Sequence, residues 1–332
     1  MNKYFDFIGS CPQCNSSDST YRFSVDQLGF NIDIVECCNC GILYKQYFPN
    51  SNLMNLIYSD SYTHFSNNNK SSNSLSIHKS RINRLGSSNN KHNRHLDYGC
   101  GSGAFVSAAM DSGWDSYGCD PFLLDESLKG QLKNRLFKID PNDQNIKLTL
   151  GEFDVISLWA VTEHMPDIVH TFSSLQELLK PGGRIIFNWP YGNSYSAKYS
   201  GSKWSMSVLL EHLTFATHKS IKNLADQINM TVDEIIINGS PYPFGIVKNP
   251  SLGDQGIDNI NQLDIDIDKY SSKDEVGKHD NALRVEPVKY LLKYLRLFLL
   301  SKKSDGILAN FARYIIQFLE IGDHIQVILV KK

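Results

Sequence analysis

The chain has 332 residues, of which 41% are hydrophobic and 20% are charged, a composition typical of a globular protein with one large core and room for a small satellite module. The formal net charge of −2 gives no electrostatic reason to expect nucleic-acid binding. No basic segment followed by an apolar run opens the chain, and the longest apolar-rich stretch, 290–300, contains Lys293 and Arg296. A membrane span needs about 20 apolar residues, so we expect a cytoplasmic protein.

The first 47 residues are rich in cysteine and are predicted to form a zinc ribbon. Two C-x-x-C motifs lie about 22 residues apart, a spacing that lets four thiolates converge on one structural zinc. The predicted ligands are Cys11, Cys14, Cys37 and Cys40, with Cys38 as a bystander. Disulfides or free thiols are the alternative, but a reducing cytoplasm disfavours disulfides. Residues 20–23 and 32–35 alternate like the strands of a hairpin. So small a module needs the metal to fold, and such binding contributes about 10 kcal/mol or more.

A change in composition marks residues 48–93 as a linker between this module and the rest of the chain. Residues 53–62 and 76–85 are predicted to be helical. The Asn/Ser-rich segment 67–74 is predicted to be a flexible loop, because it has few residues that could enter a core.

A glycine-rich stretch, His95 to Gly103, reads as the end of a buried strand followed by a tight turn, with a helix over 104–112. Three glycines, Gly99, Gly101 and Gly103, leave room for a ligand against the backbone. The spacing also fits the loose dinucleotide fingerprint. Asp97 favours a different ligand, because a carboxylate at the mouth of the loop would repel a pyrophosphate. The same carboxylate suits the ammonium and sulfonium groups of S-adenosylmethionine (SAM).

Alternating strands and helices follow this loop. A second strand, 114–120, ends in Asp120, which is placed to accept hydrogen bonds from both ribose hydroxyls of an adenosine; a surface turn is the alternative. A third strand, 136–140, ends in Asp140, which could bind an adenine amino group. The apolar run 153–159 predicts a central parallel strand ending at Trp159. The pattern continues with a helix over 168–179, a stop at Lys180 to Gly183 and a strand over 184–189. It ends with a helix over 220–229, a strand over 232–237 and a last strand over 324–330.

The order of these motifs resembles class I SAM-dependent methyltransferases. Five motifs carry the resemblance: the glycine loop, the acid after the second strand, Phe-Asp-Val-Ile at 153–156, Glu163-His164 and Leu-Lys-Pro-Gly-Gly at 179–183. The most similar branch has an N-terminal zinc ribbon, and its members act on sugars and other small metabolites. The resemblance implies a Rossmann-like, doubly wound α/β sheet whose antiparallel final strand is inserted at the sheet edge.

The resemblance also divides the chain and assigns a cofactor site. We expect a zinc ribbon (1–47), a helical and flexible linker (48–93), a methyltransferase core (94–240), a partly mobile helical insertion (241–321) with helices over 287–300 and 307–321, and a final core strand (322–332). The predicted SAM-binding residues are Asp97, Gly99, Cys100, Gly101, Gly103, Asp120 and Trp159.

Two histidines are candidate catalytic bases. His164 lies just past the carboxyl end of the central strand, where ligands of open α/β sheets bind. His212 falls in the region that lies over the acceptor pocket in the family. An imidazole titrates near neutrality, as a base should, although either residue could instead pack locally. Glu163 could orient an imidazole or face solvent. Some ubiquinone-type O-methyltransferases bind a divalent metal with such a Glu-His pair and a second acid; residues 159–162 supply no acid here, which argues against a catalytic metal.

The predicted function is SAM-dependent methyl transfer to a small-molecule acceptor. The resemblance alone implies a sugar or nucleotide-linked sugar of a surface polysaccharide or secondary metabolite. A non-catalytic protein that keeps the cofactor loop while its zinc ribbon docks a partner is an alternative, and an NAD-dependent enzyme is another. Oxygen, nitrogen and carbon acceptors stay open. The basic amphipathic helix predicted over 287–300 could contact a membrane, its own domain or a homodimer partner.

Overall fold

A computed structural model of the protein describes residues 3–58, 72–86, 93–123, 132–139, 150–238 and 322–332. The expected insertion 241–321 with its two helices, Asp140 and most of the predicted loop 67–74 lie outside these ranges. The strands in the described residues are β1 (Phe5–Phe7), β2 (Ser19–Gln27), β3 (Phe30–Cys37), β4 (Leu43–Lys45), β5 (Tyr47–Pro49), β6 (Arg94–Tyr98), β7 (Asp115–Cys119), β8 (Leu136–Phe137), β9 (Phe153–Leu158), β10 (Leu179–Pro190), β11 (Thr214–Phe215), β12 (Met230–Asn238) and β13 (His324–Lys331).

The helices of the described residues flank these strands. They are α1 (51–58), α2 (Ser72–Leu85), α3 (Ala104–Asp111), α4 (Ile168–Glu177), α5 (Tyr195–Ser200), α6 (Ser205–Val208) and α7 (His218–Gln227), with short 3₁₀ turns at Thr162–His164 and Gly201–Lys203. α7 begins two residues earlier than predicted, because Thr217 and Ser220 form a reciprocal capping box there. No helix in this part of the chain is long and apolar enough to cross a membrane.

A seven-stranded sheet in the order β12-β13-β10-β9-β6-β7-β8 forms the centre of the fold. The five strands from β10 to β8 run parallel, and β13 is antiparallel to its neighbours. Chain order reverses between β6 and β9, which makes the sheet doubly wound and leaves a crevice at their carboxyl ends. The predicted Rossmann-like α/β class with an antiparallel final strand is confirmed.

The resemblance predicts that the final strand lies at the sheet edge, and this prediction is wrong. β13 is inserted between β10 and β12, and β12 forms the edge. The physical reason lies in its side chains: Ile325, Val327 and Leu329 have no exposed surface, and Ile328 on the opposite face is also buried. A strand that is apolar on both faces needs a neighbour on each side and cover above and below.

Two further predictions about local structure need correction. α4 ends at Glu177 instead of Leu179. The stretch Lys180 to Gly183, predicted as a stop and sharp turn, is part of β10, whose register with β9 shifts between Leu179 and Arg184. Gly182 has a φ of 74° and permits this bulge.

The cysteine-rich segment forms a four-stranded antiparallel sheet, which we call the cysteine sheet, in the order β11-β4-β3-β2. The predicted hairpin is present as β2 and β3, joined at Leu28 and Gly29, both with positive φ. β11, the fourth strand, comes from Thr214–Phe215 and pairs with β4. The N-terminal segment is therefore completed by a strand from far along the chain, next to His212.

Candidate active site

The glycine loop (residues 99–103) lies at the carboxyl end of β6 and leads into α3. Its glycines all have positive φ: 72° at Gly99, 52° at Gly101 and 77° at Gly103. A Cβ on Gly99 would lie 2.4 Å from Val161, and one on Gly103 would lie 2.7 Å from Leu136, so packing requires both glycines. A Cβ on Gly101 would meet no atom of the described residues within 4 Å. Gly101 therefore leaves an open cradle over the loop where a ligand can lie against the backbone.

Asp120 holds this loop in place. Its Oδ2 accepts a hydrogen bond of 3.0 Å from the backbone N–H of Gly101, and its Oδ1 accepts one of 2.8 Å from that of Phe122. The side chain is 4% exposed, at the end of β7 as predicted. Cys100 lies beside Gly118, and its side chain is buried against the sheet. Any contact of Cys100 with a ligand would therefore come from its backbone.

The sequence predicts Asp97 at the mouth of the loop, but the structure places it within β6. It is the fourth residue of β6, is 4% exposed, and accepts a 2.6 Å hydrogen bond from the hydroxyl of Ser157. Burial raises the pKa of Asp97 to about 7, against the opposing effects of Ser157 and Arg81. The carboxylate is thus only partly ionised at neutral pH, and a bound cation would favour its charged form.

Trp159 and Arg81 line the site next to Asp97. The Arg81 guanidinium, from α2, lies 5.0 Å from the centre of the Trp159 ring. Phe105 of α3 meets the same ring edge to face at 5.9 Å. The indole Nε1 of Trp159 is buried and has no hydrogen-bond partner in the part of the chain that the structure describes, which leaves a donor for a ligand. Arg81 was not among the predicted residues, because nothing in the sequence around it distinguishes it from a surface arginine.

The two predicted histidines are brought together, although 48 positions separate them in the sequence. Their ring centres are 5.1 Å apart. His164 Nδ1 lies 3.1 Å from the Tyr58 hydroxyl, and His212 Nδ1 lies 2.9 Å from the carbonyl oxygen of Met206. Burial lowers the pKa of His164 to about 4 and that of His212 well below its usual value. Both imidazoles are therefore neutral at pH 7 and can accept a proton.

Acidic and basic side chains surround the histidine pair. Glu163 is 1% exposed, burial raises its pKa to about 8, and its Oε1 lies 3.9 Å from His212 Nε2. Lys45, from β4, has no exposed surface, and burial lowers its pKa to about 7 although Glu211 opposes this. We call this set the buried polar cluster; its members are Lys45, Tyr58, Glu163, His164, Glu211 and His212. Three of its polar atoms are buried without a partner among the described residues: Glu163 Oε2, His164 Nε2 and Glu211 Oε2.

The geometry of Glu163, His164 and His212 also weakens the sequence argument against a catalytic metal. The residues just before Glu163 supply no acid, but the fold brings His212 to the same place from a distant segment. One ligand atom from each of the three lies within 4.8 Å of the others, a separation compatible with a metal ion. The buried ammonium of Lys45 is an opposing charge in the same region, since it lowers the pKa of both histidines.

The four predicted cysteine ligands form a compact cluster. Their sulfur atoms all lie within 4.8 Å of one another, and the pairs Cys11–Cys40 and Cys14–Cys37 are each 3.5 Å apart. Two sulfurs bound at about 2.3 Å to a tetrahedral zinc would be about 3.8 Å apart. Cys38 is exposed and is not part of the cluster. The donor set fits a closed structural zinc site.

The cysteine cluster is tied to the chain that carries His212. Gln13 donates a 2.9 Å hydrogen bond to the carbonyl oxygen of Ser220, and Thr217 donates one of the same length to that of Gly41. Lys219 donates to the carbonyl oxygen of Cys38. The start of α7, and β11 before it, are therefore held by the segment that bears the cysteines.

The doubly wound sheet, the glycine loop and the acid after the second strand define a class I SAM-dependent methyltransferase domain. Residues 75–235 match the family model described as a methyltransferase domain. The match supports a methyltransferase domain in this part of the chain, in agreement with the sequence prediction of a SAM-dependent methyltransferase.

Curated relatives share this domain. A ubiquinone biosynthesis O-methyltransferase from Nitrosospira multiformis is 29% identical over 171 residues, which cover 48% of this chain and 70% of the relative. Another, from Aromatoleum aromaticum, is 28% identical over 137 residues, or 39% of this chain and 56% of the relative. The match thus spans little more than half of the second relative. A solved SAM-dependent methyltransferase from Archaeoglobus fulgidus aligns with 81% of this chain and 99% of its own, at 15% identity and a TM-score of 0.46.

Proposed function

We propose that the protein transfers a methyl group from SAM to a small polar acceptor, a sugar or nucleotide-linked sugar, that binds at the buried polar cluster. One observation carries this proposal: the cluster and the glycine loop adjoin. Val161, which packs against Gly99, immediately precedes the turn that bears Glu163 and His164. Methyl transfer depends mainly on alignment of the acceptor, the methyl group and the sulfur, so adjacent sites for cofactor and acceptor are what it requires.

The residues around the glycine loop suit SAM. The open face at Gly101 leaves room for the nucleoside, and Asp120, next to it, can accept from ribose hydroxyls. The amino-acid end of SAM carries one ammonium and one carboxylate. Asp97 offers a buried acceptor for the ammonium, and Arg81 offers a cation for the carboxylate. SAM itself supplies a methyl group already activated by the sulfonium.

His212 is our candidate for the base that removes the acceptor's proton. Its Nδ1 is bonded to the Met206 carbonyl oxygen, an acceptor, so the proton lies on Nδ1 and Nε2 carries the free lone pair. His164 is the second candidate, because its Nε2 is buried and no described residue bonds to it. Either neutral imidazole can take the proton as the acceptor atom attacks the methyl group. The Nε2–H that forms on His212 then faces Oε1 of Glu163, 3.9 Å away, as a nearby acceptor.

The polarity of the cluster favours a hydroxylated acceptor over a prenylated aromatic one. An apolar ring with a hydrocarbon tail would leave Glu163 Oε2, His164 Nε2 and Glu211 Oε2 buried and unpaired, at a cost of about 1–3 kcal/mol each. Sugar hydroxyls can donate to all three atoms. For this reason we keep the sugar class, although the names of the curated relatives refer to ubiquinone.

We also propose that the four cysteines bind one structural zinc in a cytoplasmic protein. The closed geometry, with four sulfurs and no further ligand in reach among the described residues, suits a structural role. The zinc would fix the cysteine sheet, and through Thr217 and β11 it would hold the segment that carries His212.

Two experiments test the proposed function. Isothermal titration of the full chain with SAM and with NAD should show SAM binding; NAD binding without SAM binding would favour a dehydrogenase. Incubation with SAM labelled on the methyl group and a metabolite extract should transfer label to a polar small molecule. SAM binding without transfer to any metabolite would favour the non-catalytic alternative. Phosphatase and glycosidase treatment of the labelled product then identifies a sugar or nucleotide-sugar.

A further inference from the structure

Lys45 is a fully buried lysine whose position the proposed chemistry does not use. It lies in β4 of the cysteine sheet, opposite Ile34 of β3, and has no exposed surface. Burial of an unpaired ammonium is costly, so a buried lysine is retained only where something compensates its charge. Among the described residues, the ammonium has one hydrogen-bond acceptor, the carbonyl oxygen of Leu209 at 2.6 Å. None of the ion pairs in this part of the chain involves Lys45.

Backbone hydrogen bonds place Lys45 beside the two histidines. The Leu209 carbonyl that accepts from the ammonium also accepts from the backbone N–H of His212, at 3.3 Å. The backbone N–H of Lys45 donates to the carbonyl oxygen of Leu213 at 3.0 Å, and the N–H of Leu213 donates to that of Glu163 at 2.7 Å. The strand that carries Lys45, the segment that carries His212 and the turn that carries His164 are therefore joined directly.

The ammonium of Lys45 has no ion-pair partner among the described residues. The ammonium has three donors and the described residues satisfy one of them. Glu211 attracts it but forms no ion pair with it, and burial disfavours the charged forms of both side chains. A ligand with a negatively charged oxygen would use the remaining donors and neutralise the charge in a low-dielectric site, where the gain is largest.

We propose that Lys45 is an acceptor-binding residue that contacts a negatively charged oxygen of the acceptor, so that the enzyme selects an acidic sugar: one that carries a carboxylate or a phosphate. This inference rests on the proposed function, since it assumes that the acceptor binds beside His164 and His212. It also gives the cysteine sheet a direct part in substrate selection, because Lys45 belongs to that sheet. The carboxylate and the phosphate share the chemistry that an ammonium recognises, and the choice between them is left to the probes.

The test uses the full chain saturated with S-adenosylhomocysteine and three probes of one sugar: glucose, glucuronate and glucose 1-phosphate. Isothermal titration should show that wild type binds at least one acidic probe about 10- to 100-fold more tightly than glucose. The stronger of the two acidic probes identifies the source of the charge. Lys45→Met should abolish this preference, and so should Lys45→Gln, which can still donate to Leu209. The exposed Lys222, changed to Met, serves as the matched control and should keep the preference.

The outcomes separate this inference from the proposed function. Titration with SAM shows that each variant is folded, and SAM affinity should be unchanged in all of them. An equal or absent affinity for the three probes in wild type overturns the inference, as does a preference that survives in Lys45→Met. Transfer of labelled methyl groups from SAM to uncharged metabolites, at equal rates in wild type and Lys45→Met, overturns it while the proposed function stands. No transfer by wild type overturns the proposed function itself.

Discussion

The hydroxyl of Ser157 donates a 2.6 Å hydrogen bond to Oδ1 of Asp97, from the strand next to it in the central sheet. Because the hydroxyl proton points at Asp97, the Ser157 oxygen must accept the hydrogen bond that joins it to His95 Nε2, 2.9 Å away. The buried His95, whose pKa burial lowers to about 3, is thus the neutral Nε2–H form, and its Nδ1 accepts from Ser116. A chain of neutral donors supports Asp97 beneath the cofactor loop.

SAM affinity should therefore depend on pH through Asp97. The pKa of Asp97 is raised to about 7 in the free protein, and the ammonium of bound SAM would lower it, so binding below pH 7 must release a proton. We expect the affinity to fall by up to about tenfold per pH unit as the pH drops below 7. Isothermal titration between pH 5.5 and 8.5, in buffers of different ionisation enthalpy, measures both the affinity and the proton release.

Variants assign this pH dependence to Asp97. Asp97→Asn should flatten the profile and lower affinity at pH 8 by about 10- to 100-fold, the value of a hydrogen bond to a charged group. Ser157→Ala should move the midpoint to higher pH, because it removes a donor that lowers the pKa of Asp97. The exposed Asp233, changed to Asn, is the control and should leave the profile unchanged. A pH dependence that persists in Asp97→Asn would refute the role of this carboxylate.

Replacement of Gly99 should mainly lower folding stability, and replacement of Gly101 should mainly weaken SAM binding. Gly99→Ala places a Cβ 2.4 Å from Val161 at a φ of 72°, so we expect a loss of about 1–3 kcal/mol in the free energy of unfolding. Gly101→Ala has no clash but fills the open cradle, so it should cost about 1 kcal/mol of stability and weaken SAM binding strongly. Urea unfolding and SAM titration of both variants separate the effects. Gly101→Ala with wild-type SAM affinity would show that no ligand lies against this residue.

Sequence patterns predicted most of what is local in this protein. The spacing of Cys11, Cys14, Cys37 and Cys40 indicated a converging cluster, and the glycine loop with Asp120 indicated a ligand site between β6 and β7. These features depend on residues close together in the sequence. The position of β13 and the contribution of β11 to the cysteine sheet depend on pairing between distant segments, which no local pattern encodes.

The same limit applies to side chains in the site. Lys45 and Arg81 look like ordinary surface cations in the sequence, and only the fold shows that the first is fully buried and that the second lies over Trp159. The sequence indicates a role for Asp97 but not its burial, because a sequence gives the order of residues along β6 and not the depth of each side chain. Burial is what raises its pKa and changes how its charge acts.

Replacement of His212 should remove methyl transfer and leave cofactor binding intact. If its Nε2 takes the acceptor's proton, His212→Asn should lower kcat by about 100- to 10,000-fold at unchanged SAM affinity. His170, which is exposed on α4, is the matched control as His170→Asn. A wild-type rate in His212→Asn would move the role of the base to His164, and the corresponding His164→Asn variant would then show the loss.

The pH profile of kcat gives an independent check on these histidines. Burial lowers the pKa of both imidazoles, so they stay neutral, and able to accept a proton, well below pH 6.5. At saturating SAM, kcat should therefore show no fall on the acid side between pH 7.5 and 6. A decline centred near 6.5 would indicate a solvated histidine, which neither His164 nor His212 is.

Removal of the zinc proposed for the cysteine cluster should reduce methyl transfer much more than SAM binding. Metal analysis of the purified chain should give about one zinc per molecule, and none in Cys11→Ser. Chelation or Cys11→Ser should lower the melting temperature of the cysteine sheet, since a structural zinc contributes folding free energy directly.

SAM affinity should change little, because the glycine loop and Asp120 make their hydrogen bonds within the central sheet. Methyl transfer should fall sharply, because Thr217 and β11 hold the His212 segment to the cysteine sheet. Cys38→Ser, at the exposed cysteine outside the cluster, should keep zinc, stability and activity. Full activity in a zinc-free chain would separate the cysteine sheet from the acceptor site.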